Sequence, residues 1–236
     1  MKYVFILLLL ISLSAYAEEP KIKITKLDKN VYVHTSYKLL GDGYFPSNGL
    51  IVETDKGIVL IDTAWGQEQT IELLSWISEN LKKPVLSAII THFHEDRASG
   101  IEVLKKQNIV SYAGYRTVAL LKEKGQEVPE KSLKDLEILS FGKIKIKTFF
   151  LGPGHSRDNI VVWVPKSKLL FGGCLVKSPE ASEIGNIKDA DLKEWPNTIR
   201  KLQSKFPEVS MVIPGHQSWG GKEAFTKTLD LLEKGK

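Results

Sequence analysis

The apolar stretch Leu86-Ser87-Ala88-Ile89-Ile90 runs directly into Thr91-His92-Phe93-His94-Glu95-Asp96-Arg97. A short apolar run that follows Pro84 in this way reads as a buried strand. Two histidines and an aspartate at every second position behind it therefore sit where a strand stops. Strand ends on a rigid scaffold are where functional side chains collect.

The rest of the chain repeats the pattern. Residues 22–25, 31–35, 49–53 and 58–62 read as successive strands, rich in β-branched residues and broken by the turns Asp28-Lys29-Asn30 and Asp55-Lys56-Gly57. Over 67–81 the residues Ile71, Leu74, Ile77 and Leu81 recur at helical spacing, and a strand over 85–90 follows. The spacing then predicts helices over 98–106 and 115–122 around a strand at 109–112, and after a polar stretch strands at 137–139, 144–150, 159–164 and 169–172. A helix over 195–205, with Pro196 tolerated in its first turn, a strand at 209–213 and a helix over 222–233 close the chain. Strands dominate each half and helices follow them, so an α/β arrangement of two packed sheets with helices outside is expected.

Residues 1–17 carry a basic start, an apolar centre and Ala15-Tyr16-Ala17, the pattern of a cleaved signal peptide. The apolar run is about half of the roughly 20 residues a membrane span needs. No cysteine adjoins the cleavage site to take a lipid anchor. The expectation is a soluble, exported, periplasmic domain over 18–236, with no Pro/Gly/Ser-rich linker or charge block dividing it. The full chain's net charge of +5 comes from scattered lysines without interleaved aromatics, which argues against nucleic acid as a partner. Lys143, Lys145 and Lys147 alternate with Ile144 and Ile146 as the wet face of a strand. The single cysteine, Cys174, has no internal disulfide partner. In an oxidising compartment such a thiol needs an occupant, and a metal supplies one; a small buried hydrophobe is the plainer account.

Five histidines are present: His34, His92, His94, His155 and His216. His34 falls inside a strand and is read as structural. The other four lie just past expected strands, two of them in the turns Gly152-Pro153-Gly154-His155 and Ile213-Pro214-Gly215-His216, and Cys174 follows Leu170-Phe171-Gly172-Gly173. With Asp96 they make six donor groups at four strand ends. Imidazole, thiolate and carboxylate together suit zinc. Six donors are too many for one zinc that must also hold a water, whereas two zinc ions share them.

On these residues the sequence resembles the metallo-β-lactamases, and within class B their first subclass. The matching blocks are Pro46-Ser47-Asn48-Gly49-Leu50, Ile61-Asp62-Thr63-Ala64-Trp65-Gly66, His92 to Arg97, Gly154-His155-Ser156-Arg157-Asp158-Asn159, Gly173-Cys174-Leu175-Val176-Lys177, Gly185-Asn186 and Pro214-Gly215-His216. Glyoxalase, lactonase and RNA-processing relatives carry a histidine and an aspartate where this chain has Arg97 and Cys174. The resemblance implies an αβ/βα four-layer sandwich with two central mixed sheets. It places His92, His94 and His155 on a first Zn2+ and Asp96, Cys174 and His216 on a second. It further implies hydrolysis of the β-lactam amide bond of penicillins, cephalosporins and carbapenems by a metal-bound hydroxide, with poor action on monobactams, and hence antibiotic resistance. In this reading Asp96 orients the attacking group and Asn186 polarises the lactam carbonyl. Lys177 pairs with the substrate carboxylate, Tyr44 and Phe45 belong to a flap over the pocket, and Arg97 and Asp62 stand behind the ligands. A monomer suffices for this chemistry. A superfamily hydrolase that cleaves a thioester, lactone or phosphodiester and a non-catalytic exported zinc carrier remain the alternatives.

Overall fold

The structure is a computed structural model that describes residues 19–235; the expected signal segment 1–17 lies outside the described residues. Strands β1 (Lys23–Asp28), β2 (Val31–Leu40), β3 (Gly43–Glu53), β4 (Ile58–Ile61), β5 (Val85–Ile90), β6 (Val110–Gly114) and β7 (Lys131–Leu133) form one sheet in sequential order. A second sheet has the order β12-β11-β10-β9-β8, from β8 (Leu136–Phe141), β9 (Ile144–Phe149), β10 (Val161–Val164), β11 (Leu169–Gly173) and β12 (Met211–Pro214). Both sheets are mixed. Hairpins give the antiparallel pairs β1–β2, β2–β3, β3–β4 and β8–β9. A parallel pair needs a crossover that carries the chain back. Helix α1 (Gln67–Asn80) makes it between β4 and β5, α2 (Glu95–Ala98) with α3 (Ile101–Lys106) between β5 and β6, and α4 (Tyr115–Glu123) between β6 and β7. In the second sheet α5 (Trp195–Lys205) crosses from β11 to β12, and α6 (Glu223–Lys234) packs after it.

Three apolar layers hold this stack. Between the sheets Val33, Leu50, Val59 and Ile89 meet Ile146, Val162, Phe171 and Ile213. On one outer face Ile51, Leu60, Ala88 and Ile90 pack with Leu73 and Ile77 of α1 and Ile101 and Leu104 of α3. On the other, Val161, Leu170 and Val212 pack with Trp195, Ile199 and Leu202 of α5 and Phe225 of α6. The division follows from the two-residue period of a strand: in β3, Leu50 and Val52 face the opposite sheet while Ile51 faces the helices. Each buried aliphatic side chain contributes about 1.5–3 kcal/mol. The order helix, sheet, sheet, helix is the four-layer sandwich.

The expected helix over 98–106 is two helices, parted at Ser99-Gly100. Gly100 is wedged against α1, where a Cβ would lie 2.3 Å from Thr70 Oγ1. Strand β7 adds to the sheet edge within the stretch read as polar loop. Strands β2 and β3 run well past their expected ends, so the flap expected over 41–46 is the tip of a hairpin. Leu40 pairs with Gly43 and Gly41 takes φ 60°, the left-handed turn such a tight connection requires.

His34 lies in β2 opposite Gly49 of β3, and the pairing needs the glycine, because a Cβ there would sit 2.2 Å from His34 Nε2. Burial pushes the His34 pKa down to about 4, with the Ile61 carbonyl acting the other way. The unfolded chain therefore takes up this proton first. The stability tied to a neutral His34 is complete above the ordinary histidine value of about 6.5 and is lost as pH falls toward the folded value, about 3 kcal/mol in all. Urea unfolding of the metal-free protein from pH 7.5 down to 4.5 is expected to lose stability, and His34→Gln to remove the His34 share of that slope while His92 and His155 keep theirs; an unchanged slope in the variant would place the protonation elsewhere.

Candidate metal centre

The six donors converge on the edge of the sandwich where β5, β9, β11 and β12 end. His92 and His94 occupy the loop after β5, and His94 is the N-cap residue of α2, the single helical turn that carries Asp96 and Arg97. His155 sits between β9 and β10, Cys174 follows β11 and His216 follows β12. His94 Nδ1 is 3.1 Å from His92 Nε2 and 3.1 Å from His155 Nε2. Cys174 Sγ lies 3.3 Å from Asp96 Oδ2 and 3.2 Å from His216 Nε2, and those two atoms are 3.3 Å apart.

Zinc–nitrogen bonds of 2.0–2.1 Å at tetrahedral angles put ligand atoms about 3.3–3.4 Å apart, so both sets are spaced as donors round a common cation are. Within 4.8 Å, His92 groups with His94 and Asp96 and also with His155 and Cys174, while Asp96 groups with Cys174 and His216. The cluster is one continuous patch of donors. Burial, together with the neighbouring His94, holds His92 well below the usual imidazole range, and burial with His92 does the same to His155, so both rings are neutral. Burial would raise Asp96, but Arg97 and His216 hold it well below the usual carboxylate range. Imidazole, an ionised carboxylate and a cysteine sulfur, which binds as thiolate, are the donor chemistry that zinc takes, and its binding displaces any proton a donor still holds.

The orientation of these rings is set from behind. His94 Nε2 faces Asp189 Oδ2 at 3.0 Å, and a carboxylate there fixes the proton on Nε2 and turns the Nδ1 lone pair inward. His216 Nδ1 donates to the Pro46 carbonyl at 2.8 Å, which leaves Nε2 for the cluster. Burial lowers the His216 pKa, but Cys174 and Asp96 outweigh it and push it up to about 9.

Arg97 is wholly buried behind Asp96 and Cys174. Its Nη2 lies 2.9 Å from Asp96 Oδ2, 3.1 Å from Cys174 Sγ and 2.6 Å from the Gly215 carbonyl, and its Nη1 donates to the Asn48 carbonyl and lies 3.4 Å from Asp62 Oδ2. Gly215 has to be glycine to admit this packing, since a Cβ would sit 2.6 Å from both Arg97 Nη2 and Cys174 Sγ. Asp62 takes φ 63°, a turn conformation, and accepts from Thr91 N at 2.7 Å and Thr91 Oγ1 at 2.8 Å, which ties the end of β4 to the start of the histidine loop. Burial pushes its pKa up to about 7 against the pull of Arg97.

A cavity of about 610 Å³ opens over the donors. Leu40, Phe45 and Trp65 line one side and Lys177, Ala181 and Asn186 the other. The Phe45 ring stands 4.9 Å from the His216 ring. Tyr44 is not brought into the lining: neighbouring residues of β3 point to opposite faces, and Phe45 takes the inward one. Lys177 Nζ lies 5.3 Å from the Trp195 ring centre, and burial lowers its pKa, with Cys174 opposing. Asn186 Oδ1 accepts from Lys188 N at 3.1 Å.

The family model described as the Metallo-beta-lactamase superfamily matches residues 42–216. A metallo-beta-lactamase type 2 from Bacillus sp. (strain 170) is 42% identical over 216 residues, 92% of this chain and 84% of that one. Another, from Bacteroides fragilis, is 38% identical over 99% of this chain and 97% of that one. The solved metallo-beta-lactamase from Pontibacter korlensis superposes with a TM-score of 0.88 at 41% identity, over 90% of this chain and 99% of that one. FIM-1 from Pseudomonas aeruginosa, solved in a mono-zinc form, does so with a TM-score of 0.85 at 35% identity, over 93% and 98%. The chain belongs to the metallo-β-lactamases.

Around its metallo-β-lactamase centre this chain uses residues that the sequence reading passed over. Asp189 carries no local signal, as an aspartate in a loop of mixed polarity. Asn48 lies in β3, and its Nδ2 donates to the carbonyls of Pro214 at 3.1 Å and Gln217 at 2.8 Å, bracing the loop that bears His216. Leu40 and Trp65 become pocket walls only once the hairpin folds over. Removing the Arg97 charge leaves Asp96, Cys174 and two carbonyls without their shared donor. Arg97→Met is expected to destabilise the metal-free protein by about 3–5 kcal/mol, read from its urea midpoint; a loss under about 1 kcal/mol would show that water replaces the guanidinium at no cost.

Proposed function

We propose that this chain hydrolyses the amide bond of β-lactam antibiotics with two zinc ions, and that it thereby confers resistance to them. The observation that carries the reading is the donor cluster forming the floor of an open cavity whose wall bears Lys177 and Asn186. His92, His94 and His155 would hold one ion and Asp96, Cys174 and His216 the other. Zinc bound there supplies a water ionised near neutral pH and a Lewis acid for the amide carbonyl.

The chain's own groups do the rest. Lys177 pairs with the carboxylate beside the lactam nitrogen. With Asn186 Oδ1 committed to the Lys188 amide, the Asn186 Nδ2 protons donate to the lactam carbonyl oxygen as charge develops on it. Asp96, kept ionised by Arg97 and His216, accepts a hydrogen bond from the attacking water and aligns it. The C–N bond breaks as the carbonyl re-forms, and the nitrogen takes its proton from solvent. Neither a serine nucleophile nor an acyl-enzyme is involved. Leu40, Phe45 and Trp65 cover the apolar substituents of the substrate and exclude water. The reading includes carbapenems among the substrates, poor action on monobactams, one catalytic domain over 18–236 that works as a monomer, and export to the periplasm by residues 1–17. Among the described residues no helix is long and apolar enough to cross a membrane.

Penicillin, cephalosporin and carbapenem are expected to be opened by the purified protein, to persist after chelator treatment, and to be opened again once zinc is returned. Elemental analysis is expected to give two zinc ions per chain, and Cys174→Ser to lower that number with a turnover loss of at least about tenfold. Failure to open any β-lactam at any zinc loading would leave the reading without support. Lys177→Met is expected to raise KM roughly tenfold or more with a smaller change in kcat, because a charge-assisted contact present in both ground and transition states is lost.

A further inference from the structure

Behind the Asn186 side of the catalytic cavity lies a second one of about 370 Å³, within the size range of small-molecule sites. Ile184, Ile187, Leu192, Leu231 and Leu232 line it, and Lys193 is the charged residue among its lining groups. Ile184 borders both cavities. The partition between them is thus the loop that carries Asn186 toward the catalytic side and Asp189 onto His94 Nε2. Local bonds hold that loop, Lys188 N to Asn186 Oδ1 at 3.1 Å and Ala190 N to the Ile187 carbonyl at 3.1 Å, next to Gly185 at φ 75°, and Asp191 N donates to the Gly154 carbonyl at 2.8 Å at its far end.

The rear cavity wets apolar surface. Its floor, Leu231 and Leu232, is 5% exposed, but Ile187 and Leu192 at its edge are 44% and 42% exposed. An aliphatic chain would remove those side chains from water. Lys193 in the lining offers the counter-charge for an anionic head. We propose that this cavity binds a single-chain aliphatic carboxylate. We propose also that its occupation slows β-lactam hydrolysis by displacing Ile184 and Ile187, and with them the loop bearing Asn186 and Asp189. The binding claim stands independently of the catalytic reading; the slowing rests on it. A ligand that fits one loop position better than another shifts that loop by its difference in affinity, with no contact to the substrate.

Decanoate below its micelle concentration is the probe, titrated by calorimetry into zinc-loaded and metal-stripped protein and tested in parallel against initial rates. One decanoate is expected per chain, with a dissociation constant on the order of 0.1–1 mM for a ligand of this size. Decanoate is expected to bind in both metal states, no tighter with zinc than without it, because displacing Asp189 from His94 opposes zinc binding; kcat is expected to fall while KM holds. Leu192→Asp, which puts a charge in the apolar lining, is expected to weaken binding at least about tenfold and leave basal turnover intact. Decyltrimethylammonium is expected to bind more weakly than decanoate, because Lys193 repels it. Competition with substrate, or binding that needs the metal, would place decanoate at the catalytic centre and overturn the site; so would undiminished binding to Leu192→Asp. Equal or tighter binding of the ammonium would overturn the choice of an anion. Saturation without any fall in kcat would overturn the coupling. Should the protein open no β-lactam yet bind decanoate in the stated way, the catalytic reading fails and the rear site stands.

Discussion

The buried guanidinium of Arg97 is the contact on which the rest of this centre depends. It reaches Asp96 from its own helical turn, the Asn48 carbonyl from β3, Cys174 from the end of β11 and the Gly215 carbonyl from the end of β12. Elements from both sheets therefore share one set of donors. A lysine would bring a single compact charge to the same place, whereas the planar fork meets several acceptors at fixed angles. The positive charge is tolerable in the core because a carboxylate, a thiol and carbonyl oxygens surround it. The same charge keeps Asp96 ionised in spite of its burial.

The layered fold explains why such a site forms at an edge. Apolar faces fill the space between the sheets and under both helical layers, so polar side chains find room only where strands stop. The ends of β5, β9, β11 and β12 come to the same side of the sandwich, and the loops between them carry histidine, cysteine and aspartate. Burial disfavours the charged form of His92 and His155, which leaves one ring nitrogen of each with a lone pair for a cation. The β2–β3 hairpin closes one side of the resulting cavity and the loop through Asn186 the other.

Much of this was legible in the chain. The two-residue alternation in β9, the continuous apolar runs of β3, β4 and β5 and the helical spacing in α1 each reflect a local rule, and the corresponding elements form. Strands β2 and β3 ran longer than their apolar segments because the hairpin tip is paired by backbone hydrogen bonds, which leave no mark on side-chain type. Ser99-Gly100 broke the expected helix because α1 packs against it, a contact between distant segments. The support residues Asp189 and Asn48 were illegible for the same reason: an aspartate or asparagine in a loop is commonplace, and its task appears only when a ligand from another part of the chain is set against it.

By itself, the sequence determined to within a residue or so where β5, β9, β11 and β12 stop, the donor types that follow them and the continuous apolar runs that give the central strands two buried faces, because these depend on neighbours a few residues apart. Tertiary structure decided which nitrogen of each histidine faces inward, how Arg97 joins the two sheets, and that Phe45 rather than Tyr44 meets the cavity. It also placed a second cavity behind the Asn186 loop. Those outcomes turn on directions and distances between segments a hundred or more residues apart, which chain composition does not encode until the layers have closed and water has been excluded from between them.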